Sequence, residues 1–138
     1  MLLLAASLGM VSLWSLARLD DRADELNAKW LRGVGLLADV RAATVEAREF
    51  EIKHSRATDR SYQSEYEEKF GNAVKLADAA WQSYQGLPAA TEDKALADAL
   101  AKAWQGYRKA SDQVLSLSRA KKQQDAADIS DGAASMAI

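Results

Sequence analysis

Apolar residues recur every three or four positions through most of the chain. In the first half this spacing places ten residues on one line: Leu16, Leu19, Ala23, Leu26, Trp30, Gly33, Leu37, Val40, Thr44 and Ala47. A seven-residue repeat of this kind puts its apolar side chains on one side of an α-helix. We therefore predict a first helix over about residues 17–57.

The same period continues in three further segments. The polar stretch 56–61 interrupts it, and Thr58, Asp59 or Ser61 is a suitable N-cap for a second helix over about residues 60–86. Gly86 to Pro88 end that helix, and Thr91 precedes a third over about residues 91–119; the polar stretch 119–125 then leads into a fourth, about 124–138. The seam residues of these helices are Tyr66, Phe70, Ala73, Ala77, Ala80, Tyr84, Leu87, Leu96, Leu100, Ala103, Tyr107, Ala110, Val114, Leu117, Ile129, Ala133 and Met136.

The helix lengths and the short connections predict the architecture. The second and third helices each hold about 28 residues, or about 42 Å, and short turns make consecutive helices antiparallel neighbours. We predict an all-α, antiparallel up-down four-helix bundle whose fourth helix is truncated to about half of the length of its partners. Aromatic residues on or beside the seams are expected to be core: Trp30, Trp81, Trp104, Tyr84 and Tyr107.

The opening segment indicates a membrane anchor. Residues 2–16 carry no charge, Trp14 lies near the end of the run, and the helical pattern continues from it without a glycine or proline break. We expect residues 1–16 to be the C-terminal part of a transmembrane helix and residues 17–138 to be a four-helix-bundle sensor domain. The run is shorter than the roughly 20 residues of a full span, so a signal peptide and a soluble helix with an apolar end remain alternatives.

Composition removes several classes of function. The 18 basic and 20 acidic side chains are scattered, with no basic stripe, so we do not expect a nucleic-acid partner. The absence of cysteine excludes a disulfide scaffold, a thiol nucleophile and a cysteine metal site. His54 is the single histidine, and we expect it to be exposed rather than a metal ligand. No nucleophile with a base and no glycine-rich phosphate loop is visible, so neither an enzyme nor a cofactor is predicted.

Three features together resemble a known family. These are Leu26-x3-Trp30-x6-Leu37-x3-Arg41-x6-Arg48 on the first helix, the turn at residues 86–88, and Trp104-x2-Tyr107 in an alanine-rich third helix. The pattern resembles the periplasmic four-helix-bundle ligand-binding domain of bacterial methyl-accepting chemotaxis receptors, and the likeness covers nearly all of the chain.

The resemblance implies a function as well as a fold. It implies a homodimer in the inner membrane, with the bundle in the periplasm or outside the cell, that detects a small ligand and passes a helix displacement through the membrane. The same module also occurs in sensor histidine kinases and cyclic-dinucleotide enzymes. The alternative from another class is a membrane-anchored helical protein that binds a partner and no small ligand.

Two arginines suggest the ligand. Arg41 and Arg48 lie seven residues apart beside the seam of the first helix, and guanidinium groups bind carboxylates in a bidentate manner. Residues 108–112 and Ser130 are expected at the level of Arg48. The candidate ligand-binding residues are Arg41, Thr44, Arg48, Tyr107, Arg108 and Ser111. They predict a small organic acid or an amino acid as ligand.

The competing interpretation of these residues is structural. The two arginines would then pair with Glu46, Glu49 or Glu51 on a solvated face. Arg108 would be a surface residue, and Tyr107 a core one.

Overall fold

The computed structural model describes residues 30–87 and 94–136, which form four helices and no strand. These are α1 (Arg32–Arg56), α2 (Arg60–Gln85), α3 (Lys94–Arg119) and α4 (Gln123–Ile129), and α4 continues directly into a π-helical segment, Ser130–Ala134. The predicted all-α bundle is confirmed. The predicted membrane segment 1–16 and the Thr91 cap lie outside the described residues. None of the helices in the described ranges combines the length and apolarity that a bilayer crossing requires.

Asp59 closes the first turn. Of the three cap candidates, it is the N-cap of α2: its Oδ1 accepts hydrogen bonds from the Ser61 backbone N–H at 2.7 Å and from Ser61 Oγ at 2.6 Å. These bonds stabilise the charged carboxylate and lower the pKa of Asp59. The extended backbone of Ala57 ends α1 just before this cap, so two helices are joined by three residues.

Backbone geometry at Lys121 closes the turn between α3 and α4. Lys121 has a φ of 61°, in the left-handed region. Its N–H donates to the Ser118 carbonyl at 3.0 Å, and the Lys122 N–H donates to the Leu117 carbonyl at 3.0 Å. This pair of bonds is a Schellman motif, which satisfies the last carbonyls of a helix. The polar stretch 119–125 thus makes the predicted second turn.

Small side chains dominate the interior. α1 pairs with α2 along its length, and α3 packs against α4 and α1. The main core cluster consists of Ala47, Phe70, Ala73, Val74, Tyr107, Ala110, Leu115 and Ala134, with Phe50, Trp104 and Ile129 packed against it. The cluster lies in the half of the bundle that contains the turns at residues 57–59 and 120–122.

The predicted seams fail at the opposite end of the bundle. Trp30 is 47% exposed, Leu96 68% and Leu100 37%, although each was expected to be core. The described part of α4 ends near Tyr107, with Ala134 in the same core cluster as that residue. The first half of α3 therefore has no described part of α4 to pack against, and its apolar side chains face solvent.

The seam predicted for the fourth helix is wrong. Ala133 is exposed and Met136 is 84% exposed, whereas Ala126, Ser130 and Ala134 are buried. Ile129, the remaining predicted position, is half-buried against the core. The π-helical segment accounts for the error, because it adds a residue to the helical turn and changes which side chains after Ile129 face the bundle.

The two ends of α3 should differ in their contribution to stability. Leu115 is 4% exposed and Leu96 is 68% exposed. Leu115→Ala should lower the free energy of unfolding by about 2–5 kcal/mol, because it opens a cavity in the core. The same change at Leu96 should cost less than about 1 kcal/mol. Urea unfolding followed by circular dichroism would measure both, and equal losses would contradict this description of the core.

Candidate functional site

A partly buried arginine joins α1 to α4. The Arg48 side chain is 17% exposed. Its Nη1 donates to Ser130 Oγ at 2.8 Å, and its Nη2 donates to the Ser130 carbonyl at 2.7 Å. Ser130 is the first residue of the π-helical segment. One guanidinium thus contacts both the side chain and the backbone of α4, at the height predicted for Ser130.

Glu51 neutralises this guanidinium. It lies one turn after Arg48 on α1, its side chain is completely buried, and its Oε2 accepts from Arg48 Nη1 at 2.6 Å. Removing either partner of a buried ion pair leaves an uncompensated charge, which costs about 3–5 kcal/mol. Arg48 and Glu51 therefore depend on each other for their positions inside the bundle.

Two hydroxyl groups of α3 complete the polar cluster. Tyr107 and Ser111 are fully buried, and the pKa of Tyr107 is raised well above its usual value, first by burial and then by the Glu51 carboxylate. Tyr107 OH, Ser111 Oγ and Glu51 Oε1 have no hydrogen-bond partner among the described residues. A buried polar atom without a partner costs about 1–3 kcal/mol. The two hydroxyls can donate or accept a further hydrogen bond, and the Glu51 carboxylate oxygen can accept one. We call Arg48, Glu51, Tyr107, Ser111 and Ser130 the polar cluster.

Comparison with known protein families identifies the family to which this helical bundle belongs. The sequence model of a family described as a four helix bundle sensory module for signal transduction matches residues 1–136 of the chain. The chain belongs to this family. It is a sensory four-helix bundle of the kind found in chemotaxis receptors. No curated protein and no solved structure gives a significant match.

The sensory bundle brings together half of the predicted ligand-binding residues. Arg48, Tyr107 and Ser111 meet in the polar cluster. Arg41 is exposed on α1. Arg108 Nη1 donates to Asp78 Oδ2 on α2 at 3.1 Å, and both side chains lie at the surface. Arg108 lies at the surface, as the structural interpretation expects, and Arg41 is not part of the polar cluster that contains Arg48.

Thr44 lies beside a different feature. Its hydroxyl donates to the Val40 carbonyl of its own helix at 2.8 Å. It lines an apolar cavity of about 60 Å³ formed by Val40, Thr44, Ala77, Trp81, Leu100, Ala103 and Trp104. A cavity that accepts benzene measures about 150 Å³, so this space is too small for an aromatic ring without rearrangement.

His54 is buried, and the expectation that it would be exposed is wrong. Its side chain has no solvent exposure, and Ser118 Oγ donates to its backbone carbonyl at 2.9 Å. Nε2 lies 3.6 Å from Glu67 Oε2, and Glu67 is held by two hydrogen bonds from Arg119. Burial lowers the pKa of His54, and the Arg119 charge lowers it further, although the Glu67 carboxylate opposes both.

A sequence signal for Glu51 and His54 exists. Continuing the α1 seam past Ala47 by steps of four and three gives positions 51 and 54. Both are polar, so they do not register as apolar periodicity, yet both are completely buried. Titratable residues at positions that continue an apolar seam, such as Glu51 and His54, thus indicate that polar side chains are buried inside this bundle.

The stability of the sensory bundle should fall when the pH falls below about 6.5. The folded chain binds a proton at His54 less readily than the unfolded chain, so stability is lost as pH falls from 6.5, the ordinary His value, toward the lowered pKa. The melting temperature at pH 5.5 should be lower than at pH 7.5, and His54→Gln should flatten this difference.

Two measurements control this prediction. The carboxyl groups with lowered pKa, Asp59 and Glu67, titrate from about pH 4.5 downward, so Asp59→Asn should leave the slope between pH 7.5 and 5.5 unchanged. Since His54 is the only histidine, its NMR signal can be titrated directly in the unmodified chain. A midpoint at or above 6.5 would contradict the burial argument.

Proposed function

We propose that the chain is the extracytoplasmic ligand-sensing domain of a methyl-accepting chemotaxis protein, anchored in the inner membrane through residues 1–16. The observation that carries this proposal is the Arg48 contact with Ser130, which links α1 to α4 inside the bundle. Membership of the sensory family supports the role, and the uncharged apolar run of residues 2–16 supports the anchor.

The ligand is proposed to be an amino acid or a small organic acid that binds at the polar cluster. A carboxylate takes the place of the Glu51 oxygen on the Arg48 fork, and the hydroxyls of Tyr107 and Ser111 donate to it. Glu51 is then left without its cation. An ammonium group on the ligand restores that partner, since it offers three N–H donors to Glu51 and the neighbouring hydroxyl oxygens. The charges of the cluster therefore favour an amino acid.

The proposed route of signal transmission starts from the contact between Arg48 and Ser130 of α4. The bonds from Arg48 to Ser130 position α4 on α1. A ligand that engages the guanidinium competes with those bonds, so the two arrangements of α4 bind it with different affinity. Such a ligand shifts the population between them, and we propose that the resulting displacement of α4 carries the signal through the membrane.

An apolar stripe on α1 supports a homodimer. Leu31, Val34 and Val45 are each more than half exposed and share one side of the helix. This side lies opposite the buried positions Val40 and Ala47. Two copies that pair along the stripe would bury these side chains in a helix–helix seam.

Arg48→Gln should strongly weaken amino-acid binding by the full chain. Isothermal calorimetry with L-aspartate, and with succinate as its analogue without the ammonium group, should show tighter binding of L-aspartate to the unmodified chain. The variant should weaken that binding by at least about 2 kcal/mol, because it removes one partner of a buried charged contact. Arg56→Gln, an exposed arginine on the same helix, is the matched control. Unchanged affinity in Arg48→Gln would remove Arg48 from the site.

The stripe predicts a crosslinking pattern. The chain has no cysteine, so single substitutions give an unambiguous result. Val45→Cys should form a disulfide-linked dimer on mild oxidation. Asp39→Cys, which is also exposed but lies about 120° from Val45 around α1, should stay monomeric. Equal crosslinking at both positions would indicate random collision rather than the proposed interface.

A further inference from the structure

The last helix changes from α-helical to π-helical geometry part-way along its length. Ligand binding at the polar cluster does not by itself account for this change. Residues 123–129 are α-helical, residues 130–134 are π-helical, and residues 135–136 are α-helical again. π-helical turns are rare, and they occur most often at functional sites. This one begins at Ser130, the residue that Arg48 holds.

Two registers compete for the residues that follow Ile129. A continuous α-helix with the spacing of the other helices would direct Ala133 and Met136 toward the bundle. Ser130 lies before the offset and is buried, and the π-helical segment after it buries Ala134 and leaves Met136 84% exposed. The offset between the two registers is one residue, or about 100° of rotation around the helix axis.

Arg48 favours the π-helical register. In a continuous α-helix the Ser130 carbonyl accepts the N–H of Ala134. Here the carbonyl accepts from Arg48 Nη2 at 2.7 Å, and the hydroxyl of the same residue accepts from Nη1. The bonds from Arg48 offset the loss of regular helical bonding and the exposure of Met136.

We propose that residues 130–134 are a register switch controlled by Arg48. While Arg48 holds Ser130, α4 keeps the π-helical turn. When the guanidinium releases Ser130, the segment becomes α-helical, Ala133 and Met136 turn toward the bundle, and Ala134 turns away. The residues after Ala134 rotate by about 100°. The link between ligand and switch rests on the proposed function, because an amino acid at Arg48 would be the releasing agent, whereas the switch itself needs only the contact seen here.

Cysteine labelling tests the switch without any ligand. Because the chain has no cysteine, Ala134→Cys and Met136→Cys each introduce the only thiol. In the Arg48 background the thiol of Ala134→Cys should react with a maleimide about tenfold more slowly than that of Met136→Cys, because buried positions react only on local opening. Adding Arg48→Gln should reverse this order, and Arg56→Gln should leave it unchanged. An order that stays the same in Arg48→Gln overturns the proposal.

Deletion of Gly132 provides a second test. A Cβ placed at Gly132 has no neighbour within 4 Å, so this residue is not required for close packing. Removing it takes out the extra residue of the π-helical turn and should fix the α-helical register. The labelling order should then be reversed even with Arg48 present, and the helix content measured by circular dichroism should be retained. If a folded deletion variant labels like the parent chain, the proposal fails.

Addition of L-aspartate separates this proposal from the proposed function. If labelling reverses in Arg48→Gln and in the deletion variant but L-aspartate has no effect on the parent chain, the switch is supported and the amino-acid ligand is not. If L-aspartate binds by calorimetry and neither variant changes the labelling order, the ligand is supported and the switch is overturned.

Discussion

The position of α4 depends on one buried charge. Glu51 is entirely removed from water, and a buried carboxylate is stable only with a cation and hydrogen-bond donors beside it. Arg48 supplies both from the preceding turn, and its remaining N–H groups reach Ser130. The polar contact on α1 therefore ties the first residue of the π-helical segment to α1 and adds a directional bond to the apolar packing of Ile129 and Ala134.

The alanine-rich core explains why a polar contact has this influence. Ala47, Ala110, Ala126 and Ala134 bury little apolar area each, and the driving force scales with that area. Their similar size also allows neighbouring registers to pack almost equally well. Directional bonds to a backbone carbonyl discriminate between such registers, since a shift of one residue removes the acceptor.

The sequence predicts the helices well and the interior less well. Asp59, one of the three predicted cap candidates, caps α2 because its carboxylate accepts a hydrogen bond from a free backbone N–H at the start of the helix. The seam through Phe70, Ala73 and Ala77 is buried, as its period indicates. Leu96 is exposed because the described part of α4 does not extend alongside it, and the sequence of α3 alone does not show which helix will cover a given apolar position. The π-helical turn was not predictable from the local pattern, and the Arg48 contact at its first residue comes from more than eighty residues earlier in the chain. That long-range contact engages Arg48 alone, and Arg41, whose spacing had suggested a shared site, is exposed on α1.

A site that is also a structural support is well suited to sensing. A ligand that binds an isolated pocket with equal affinity in two conformations shifts nothing, however tightly it binds. In the proposed function, the N–H groups of Arg48 that would hold a ligand carboxylate are the ones that hold Ser130, so ligand occupancy and helix position would compete directly. Thermodynamic reciprocity then requires that any change that strengthens the contact between Arg48 and Ser130 lowers the affinity for such a ligand by the same factor. In the proposed exchange an ammonium group of the ligand replaces Arg48 as the partner of the fully buried Glu51, so that carboxylate stays in place and the change is confined to α4.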